Sequence, residues 1–144
     1  MKKILIVCCL LLIATSLFAV ELKPYKFGSP NWFYMVNENE TATVLGEPLT
    51  SGYLSQTDSY MLFSLSNNYS EVVLTFGVTD NYRTTASSKI DFYVDGVKVK
   101  TVSVNCDSMP EEITVPLNYK KQLKIYTDFE SSYGSIFFTN FDFR

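Results

Sequence analysis

The sequence predicts an all-β fold in which two antiparallel sheets pack face to face. From residue 21 onward, apolar residues recur mostly with a period of two, and Gly, Pro, Asn and Asp interrupt the pattern at short intervals. The chain is rich in Thr, Ser, Val and Tyr and poor in Ala, which favours strands over helices. Because the sequence shows no amphipathic helix to connect parallel strands, an antiparallel β-sandwich is the expected architecture.

Short segments between turn residues predict the individual strands. Residues 37–40 join the first two strands, and Gly46 and Pro48 follow the second. The pair Asn67 and Asn68 supplies the turn between the next two. The predicted strands are residues 32–36, 41–45, 60–65, 71–78, 90–94, 97–104, 112–117, 123–127 and 135–143.

A β-hairpin and a closing strand give the most detailed expectations. The dipeptide Asp95-Gly96 separates two alternating segments and suits a type I′ turn, with Ile90, Phe92 and Val94 on one face of the first strand. In the closing strand, strict alternation places one set of residues on one face and a second set on the other. The first set is Phe137, Thr139, Phe141 and Phe143, and the second is Ile136, Phe138, Asn140 and Asp142.

The first 19 residues have the features of a secretory signal peptide. Lys2 and Lys3 precede an apolar run over residues 4–14, and the segment Thr-Ser-Leu-Phe-Ala follows at 15–19, with cleavage expected after Ala19. An uncleaved anchor is a minor alternative, because the run is shorter than the roughly 20 apolar residues of a membrane span. A lipid-modified Cys8 is disfavoured, since only four apolar residues precede it. The expected mature domain is a single unit over residues 20–144.

The composition excludes several classes of function. The chain contains no histidine, which removes imidazole catalysis and His-ligated metal sites. Cys106 is the single cysteine after residue 19, and no cation adjoins it to activate the thiol. The acidic balance and the lack of a basic stripe argue against nucleic acid. Asp91 and Asp95 form the only acidic pair on one strand face, and the turn already explains Asp95, so no enzyme activity is expected.

Loop residues of the predicted sandwich have the chemistry of a sugar site. Sugar recognition requires flat aromatic faces for the apolar side of a pyranose ring and planar polar groups for its hydroxyls. Arg83 could bridge neighbouring hydroxyls, although pairing with Asp80 is an equally good explanation of it. Trp32 is expected in the core rather than in a site. The candidate ligand-binding residues are Tyr53 and Gln56 in the loop before residue 60, Asp80, Asn81, Tyr82 and Arg83 after the strand at 71–78, and Tyr133 in the last loop.

No organic cofactor is expected, and calcium is a conceivable structural ion. Oxygen ligands from Asp58, Asp80 or Asn81 could converge at one end of a sandwich. No run of acidic residues marks a calcium loop in this sequence.

The order of segments resembles the NPCBM domain, a carbohydrate-binding module related to carbohydrate-binding module family 51. The resemblance extends over roughly residues 40–143, and its most specific segments are Phe-Gly-Val-Thr-Asp at 76–80 and Phe-Tyr-Val-Asp-Gly at 92–96. It implies a galactose-binding-like jelly-roll β-sandwich. The family carries a Gly, a His and a Ser before its apolar strand, and here Gly52 and Ser59 are present while Gln56 stands near the His position. The Asp and Trp typical of the family's last segment are also replaced, by the run from Gly134 to Asn140.

These observations together predict an exported bacterial binding module without catalytic activity, secreted or held in the periplasm or cell envelope. A glycan is the expected ligand. The alternative is a structural or protein-interaction sandwich that has lost the sugar site and contacts another envelope protein through exposed aromatic residues. The oligomeric state does not follow from the sequence.

Overall fold

Two five-stranded antiparallel sheets form the protein in a computed structural model that describes residues 21–28, 33–82, 88–105, 107–130 and 134–144. The first sheet has the strand order β1-β4-β9-β6-β7 and the second β2-β3-β10-β5-β8. The predicted signal peptide, Trp32, Arg83, Cys106 and Tyr133 lie outside the described residues. The strands are β1 Lys26–Phe27, β2 Phe33–Val44, β3 Glu47–Ser55, β4 Ser59–Ser64, β5 Glu71–Val78, β6 Ser88–Val94, β7 Val97–Val104, β8 Glu111–Pro116, β9 Gln122–Phe129 and β10 Ile136–Phe143.

The predicted all-β sandwich is confirmed, and its core lies between the two sheets. Phe63 and Phe92 of the first sheet and Phe76 and Phe138 of the second are buried in one cluster. Burial of side chains of this size contributes about 2 kcal/mol each through removal of apolar surface from water. The described part of the chain contains one 3₁₀ helix, Asp80–Tyr82, and no helix that could cross a lipid bilayer.

The predicted hairpin between β6 and β7 is confirmed, with a register shift between Phe92 and Tyr93 that the sequence did not predict. Asp95 and Gly96 have φ values of 48° and 80°, as a type I′ turn requires. The Asp95 carboxylate accepts hydrogen bonds from the backbone N–H groups of Lys121 (3.1 Å) and Gln122 (2.9 Å). The turn aspartate therefore also attaches the hairpin tip to the start of β9.

The prediction for residues 32–58 is wrong in two respects. Residues 33–44 form one strand with an irregular register between Val36 and Thr41, rather than two strands. Residues 47–55 form β3, so Tyr53 lies in a strand and not in a loop. Proline has no backbone N–H to donate, so it is tolerated only where a strand is unpaired on one side. Pro48 meets this condition, because this part of β3 pairs with β2 and not with β10.

The predicted alternation of the closing strand is wrong after Thr139. The register of β10 against β5 shifts between Thr139 and Asp142, and Asn140 adopts a left-handed conformation with φ of 54°. An inserted residue of this kind reverses which side chains face the core. Phe141 therefore packs against the same core cluster as Phe138, whereas Phe137 packs against Val36 and Leu54 in a separate cluster.

Candidate functional site

The described residues 56–58, 79–82 and 134–135 adjoin β3, β5 and β10 at the same end of the sandwich, which we call the loop end. Ile136 pairs with Ser55 of β3 and with Val78 of β5, so the residues that flank these three positions are neighbours. The backbone N–H of Thr79 donates to the carbonyl of Ser135 over 2.9 Å, which joins two of the loops directly. Residues far apart in the sequence are thereby brought to one surface.

Hydroxyl and carboxylate hydrogen bonds hold the 56–58 loop against β9. The hydroxyls of Ser55 and Thr127 lie 2.7 Å apart, and that of Thr127 also donates to the carbonyl of Thr57 over 3.1 Å. The Asp58 carboxylate accepts the backbone N–H of Phe129 over 2.8 Å. A preformed loop loses less conformational entropy when a ligand binds to it.

Asp80 connects the loop end to the turn of the β2–β3 hairpin. Its two carboxylate oxygens accept the backbone N–H groups of Leu45 (2.8 Å) and Gly46 (2.9 Å). Leu45 and Gly46 have positive φ values of 49° and 79°, so their N–H groups point out of the turn, where a side chain can accept them. Both oxygens thus hold the framework, and a direct contact of Asp80 with ligand stays a prediction.

We expect the Asp80→Ala variant to be less stable by about 2 kcal/mol, because two charge-assisted hydrogen bonds are lost at a partly exposed position. Hydrogen exchange should rise in residues 41–50 more than in β6 or β9. Asp80→Asn retains one acceptor and should lie between the variant and the wild type. Equal exchange in residues 41–50 of the wild type and Asp80→Ala would show that the carboxylate does not hold the turn.

Gln56 and Asn81 are the predicted site residues whose side chains remain available at the loop end. Asn81 is exposed and Gln56 is partly exposed. Within the described residues, neither side-chain amide is engaged in a hydrogen bond. Tyr82 follows Asn81 and is the last residue of the 3₁₀ helix. The side chain of Tyr82, and the residues Arg83 and Tyr133, lie outside the part of the chain that the structure describes. The structure therefore places Gln56, Asp80 and Asn81 at the same end of the sandwich, after strands that lie on either side of β10.

Tyr53 lies apart from these residues, in a groove at one edge of the sandwich. Its ring contacts Phe27 of β1, Phe63 of β4 and Phe141 of β10 at centroid distances of 6.1, 6.5 and 5.7 Å. The groove, which we call the edge groove, has a volume of about 670 Å³. Its lining includes Leu22, Met35, Tyr53 and Phe141, together with Glu21, Lys23, Ser51 and Asn140.

Burial, with a smaller contribution from the negative charge of Glu21, raises the pKa of Tyr53 to about 12. A tyrosine phenol is neutral at physiological pH, and in this form the Tyr53 hydroxyl can donate or accept a hydrogen bond. The sequence predicts Tyr53 as a site residue but does not predict the other residues of the groove. The one signal for them was Gly52, because a strand glycine often marks a bulge or a close backbone approach.

The acidic residues considered for calcium or for catalysis have framework contacts. Asp58 and Asp80 accept backbone N–H groups, as described above. Asp91 accepts hydrogen bonds from Lys98, over 2.7 Å, and from Thr101. Burial alone would raise the pKa of Asp91, but these hydrogen bonds and the Lys98 charge outweigh burial and lower it. In the described ranges, no three His, Cys, Asp or Glu side chains gather in a way that could hold a metal ion.

Solved structures of carbohydrate-binding modules share this fold. The CBM51 of a Clostridium perfringens GH95 protein, solved in complex with methyl-galactose, is 20% identical, with a TM-score of 0.69 over 86% of this chain and 96% of that one. The structure of the Clostridium perfringens ZmpB M60 catalytic domain with two CBM51 domains is 14% identical, with a TM-score of 0.70 over 86% of this chain and 14% of that one. TmCBM61, in complex with β-1,4-galactotriose, is 11% identical, with a TM-score of 0.53 over 86% and 90%.

The two antiparallel sheets and the clustered loops define a galactose-binding-like β-sandwich, as the resemblance implied. The sequence matches the NPCBM/NEW2 domain model over residues 22–137, and the chain belongs to that family. The search of curated proteins found no match.

Proposed function

We propose that the protein is an exported, non-catalytic module that binds a glycan at the loop end. The observation that carries this proposal is the pair of side-chain amides of Gln56 and Asn81, held on braced loops and not engaged by the described residues. An amide offers donors and an acceptor in one plane, which suits the adjacent hydroxyls of a sugar. Family membership and the ligands named for the related structures support carbohydrate as the ligand class.

Galactosides are the first ligands to test, because methyl-galactose and β-1,4-galactotriose are the sugars named for two of the related modules. We expect calorimetric titration of residues 20–144 with these sugars to give measurable binding. The Asn81→Ala and Arg83→Ala variants should each bind at least about fivefold more weakly, which corresponds to the loss of one hydrogen bond or more. Asn68→Ala, at an exposed position between β4 and β5 at the opposite end of the sandwich, is the matched control.

Full retention of galactoside binding in both Asn81→Ala and Arg83→Ala would contradict a site at the loop end. The titrations should be run with calcium and with a chelator, since calcium is the ion considered for the loop oxygens. Hydrolysis of any glycan by the purified protein would contradict the non-catalytic role.

A specific observation favours the second candidate, a structural or protein-interaction sandwich of the cell envelope. Asp58 and Asp80 hold the framework through their carboxylates, and Gln56 stands near the position where the family has a histidine. Such a protein would bind a partner with no glycan present. Co-purification of one envelope protein, unaffected by added sugars and by Asn81→Ala, would favour this candidate.

A further inference from the structure

The edge groove has the size and the walls of a ligand site, although it is separate from the loop end. Its volume of about 670 Å³ falls within the range of small-molecule pockets. Gly52 lines the groove and pairs with Thr139 of β10. Thr139 is three residues along β10 from Ile136, which lies at the loop end. At about 3.4 Å per residue, the two places are on the order of 10 Å apart.

The hydroxyl of Tyr53 is a polar group held at the groove by an aromatic environment. The residue is only 7% exposed, its ring is packed by three phenylalanine rings, and it lines the groove. Within the described residues, this hydroxyl makes no hydrogen bond. The negative charge of Glu21 contributes to the raised pKa of the phenol, and Glu21 also lines the groove. Both observations agree with a Tyr53 hydroxyl that points toward the groove. Among the described residues, the buried side-chain oxygens that lack a hydrogen bond are those of Ser59 and Ser135, so the Tyr53 hydroxyl is accessible at the groove and a bound molecule could reach it.

The charge and polarity of the groove define the ligand it would accept. Glu21 and Lys23 form an ion pair over 3.4 Å, which leaves the groove without surplus charge from this pair. Met35 and Phe141 give it apolar surface, and Ser51 and Tyr53 give it hydroxyls. A neutral molecule with one apolar side and several hydroxyl groups matches these walls, and a pyranose ring has that form.

We propose that the edge groove is a second carbohydrate site, which takes a single neutral pyranose residue and uses the Tyr53 hydroxyl as a hydrogen-bonding group. This inference rests on the proposed function for one point only, the class of ligand, because the edge groove and the loop end consist of different residues. With the two sites about 10 Å apart, one branched or folded oligosaccharide could occupy both and gain affinity from the linkage.

The test is a nuclear magnetic resonance titration of the protein with methyl β-galactoside and, separately, methyl β-glucoside. The amide signals of Gly52, Tyr53 and Phe141 report on the edge groove, and those of Gln56 and Asn81 report on the loop end. We expect groove signals to shift with at least one sugar. Tyr53→Phe, which removes one oxygen atom, should weaken that binding about fivefold without changing the response at the loop end.

Tyr126→Phe is the matched control, because it removes a tyrosine hydroxyl on β9 that does not line the groove. It should bind as the wild type does at the groove. Galacturonate carries a negative charge and should bind no more tightly than the neutral galactoside, because the charges of Lys23 and Glu21 in the groove balance each other. The thermal midpoint of each variant shows whether it is folded.

Two results would overturn the inference. One is the absence of groove shifts with both sugars, and the other is equal groove affinity in Tyr53→Phe and the wild type. Either result leaves the proposed function intact if the loop-end signals still respond to a glycan. Groove shifts without any loop-end response would instead support the second site and count against the first.

Discussion

Gly52→Ala is expected to destabilise the protein by about 3 kcal/mol, a large fraction of the total stability of a domain this size. A Cβ atom at position 52 would lie 2.1 Å from the carbonyl oxygen of Phe138 and 2.7 Å from the ring of Phe137. The first of these atoms belongs to the backbone of the neighbouring strand, so the clash is relieved only if β3 and β10 separate. The glycine of the family motif therefore has a structural role in this chain.

Gly46→Ala is the matched control for that experiment. Gly46 has φ of 79° and has no atom within 4 Å of an added Cβ, so the substitution introduces backbone strain without a clash. Its expected cost is about 1 kcal/mol. Urea unfolding of both variants measures the difference. Equal losses of stability in the two variants would contradict the close approach of β10 to β3 at Gly52.

Alkaline pH is expected to reduce stability through Tyr53. Below pH 10 the phenol keeps its proton in both the folded and the unfolded chain. Between pH 10 and about pH 12 the unfolded chain loses this proton while the folded chain retains it, because the folded pKa is raised to about 12. The free energy of unfolding should therefore fall across this window by about 1 to 2 kcal/mol from this residue, a value reduced for the contact of the hydroxyl with solvent.

The measurement is urea unfolding at several pH values from 8 to 12, compared with Tyr53→Phe. The variant should lose less stability than the wild type over the upper part of this range, since it has no phenol to titrate. Tyr119→Phe, at a tyrosine that is 60% exposed, should follow the wild type. Parallel curves for the wild type and Tyr53→Phe would contradict the buried environment assigned to Tyr53.

The fold class and the β6–β7 hairpin could be predicted because local signals specify both. Alternation and turn residues recur along the chain, and Asp95-Gly96 has the backbone preference of one turn type. The long β2–β3 hairpin could not be predicted, since Pro48 and Gly52 are typical of loops. Pro48 is tolerated in β3 because β10 does not pair with that part of the strand, and Gly52 is required where β3 and β10 approach closely; both conditions are properties of the assembled sheet.

The inversion of β10 has the same kind of cause. Asn140 tolerates a left-handed conformation, but Asn is also common in regular exposed positions, so the residue alone does not specify a bulge. Only the pairing of β10 with β5 shows the shift. The edge groove depends on this bulge, because Phe141 reaches the core side of the sheet as a result.

The candidate site was predicted in part. Asp80 and Asn81 follow the predicted strand β5, whereas Gln56 follows β3, which the sequence did not predict; the two strands lie on either side of β10. The role of Asp80 in holding the hairpin turn, and the position of Tyr53 in a separate groove, both arise from contacts more than 30 residues apart in the chain or across the two sheets. No local pattern encodes such contacts.

The most direct test of carbohydrate binding is a glycan-array screen of residues 20–144, with calcium and then with a chelator, beside the Arg83→Ala and Asn81→Ala variants. We expect selective binding to a small set of glycans by the wild type, and reduced binding by both variants. Failure to bind any glycan in either condition would contradict carbohydrate binding and direct the search to a protein partner.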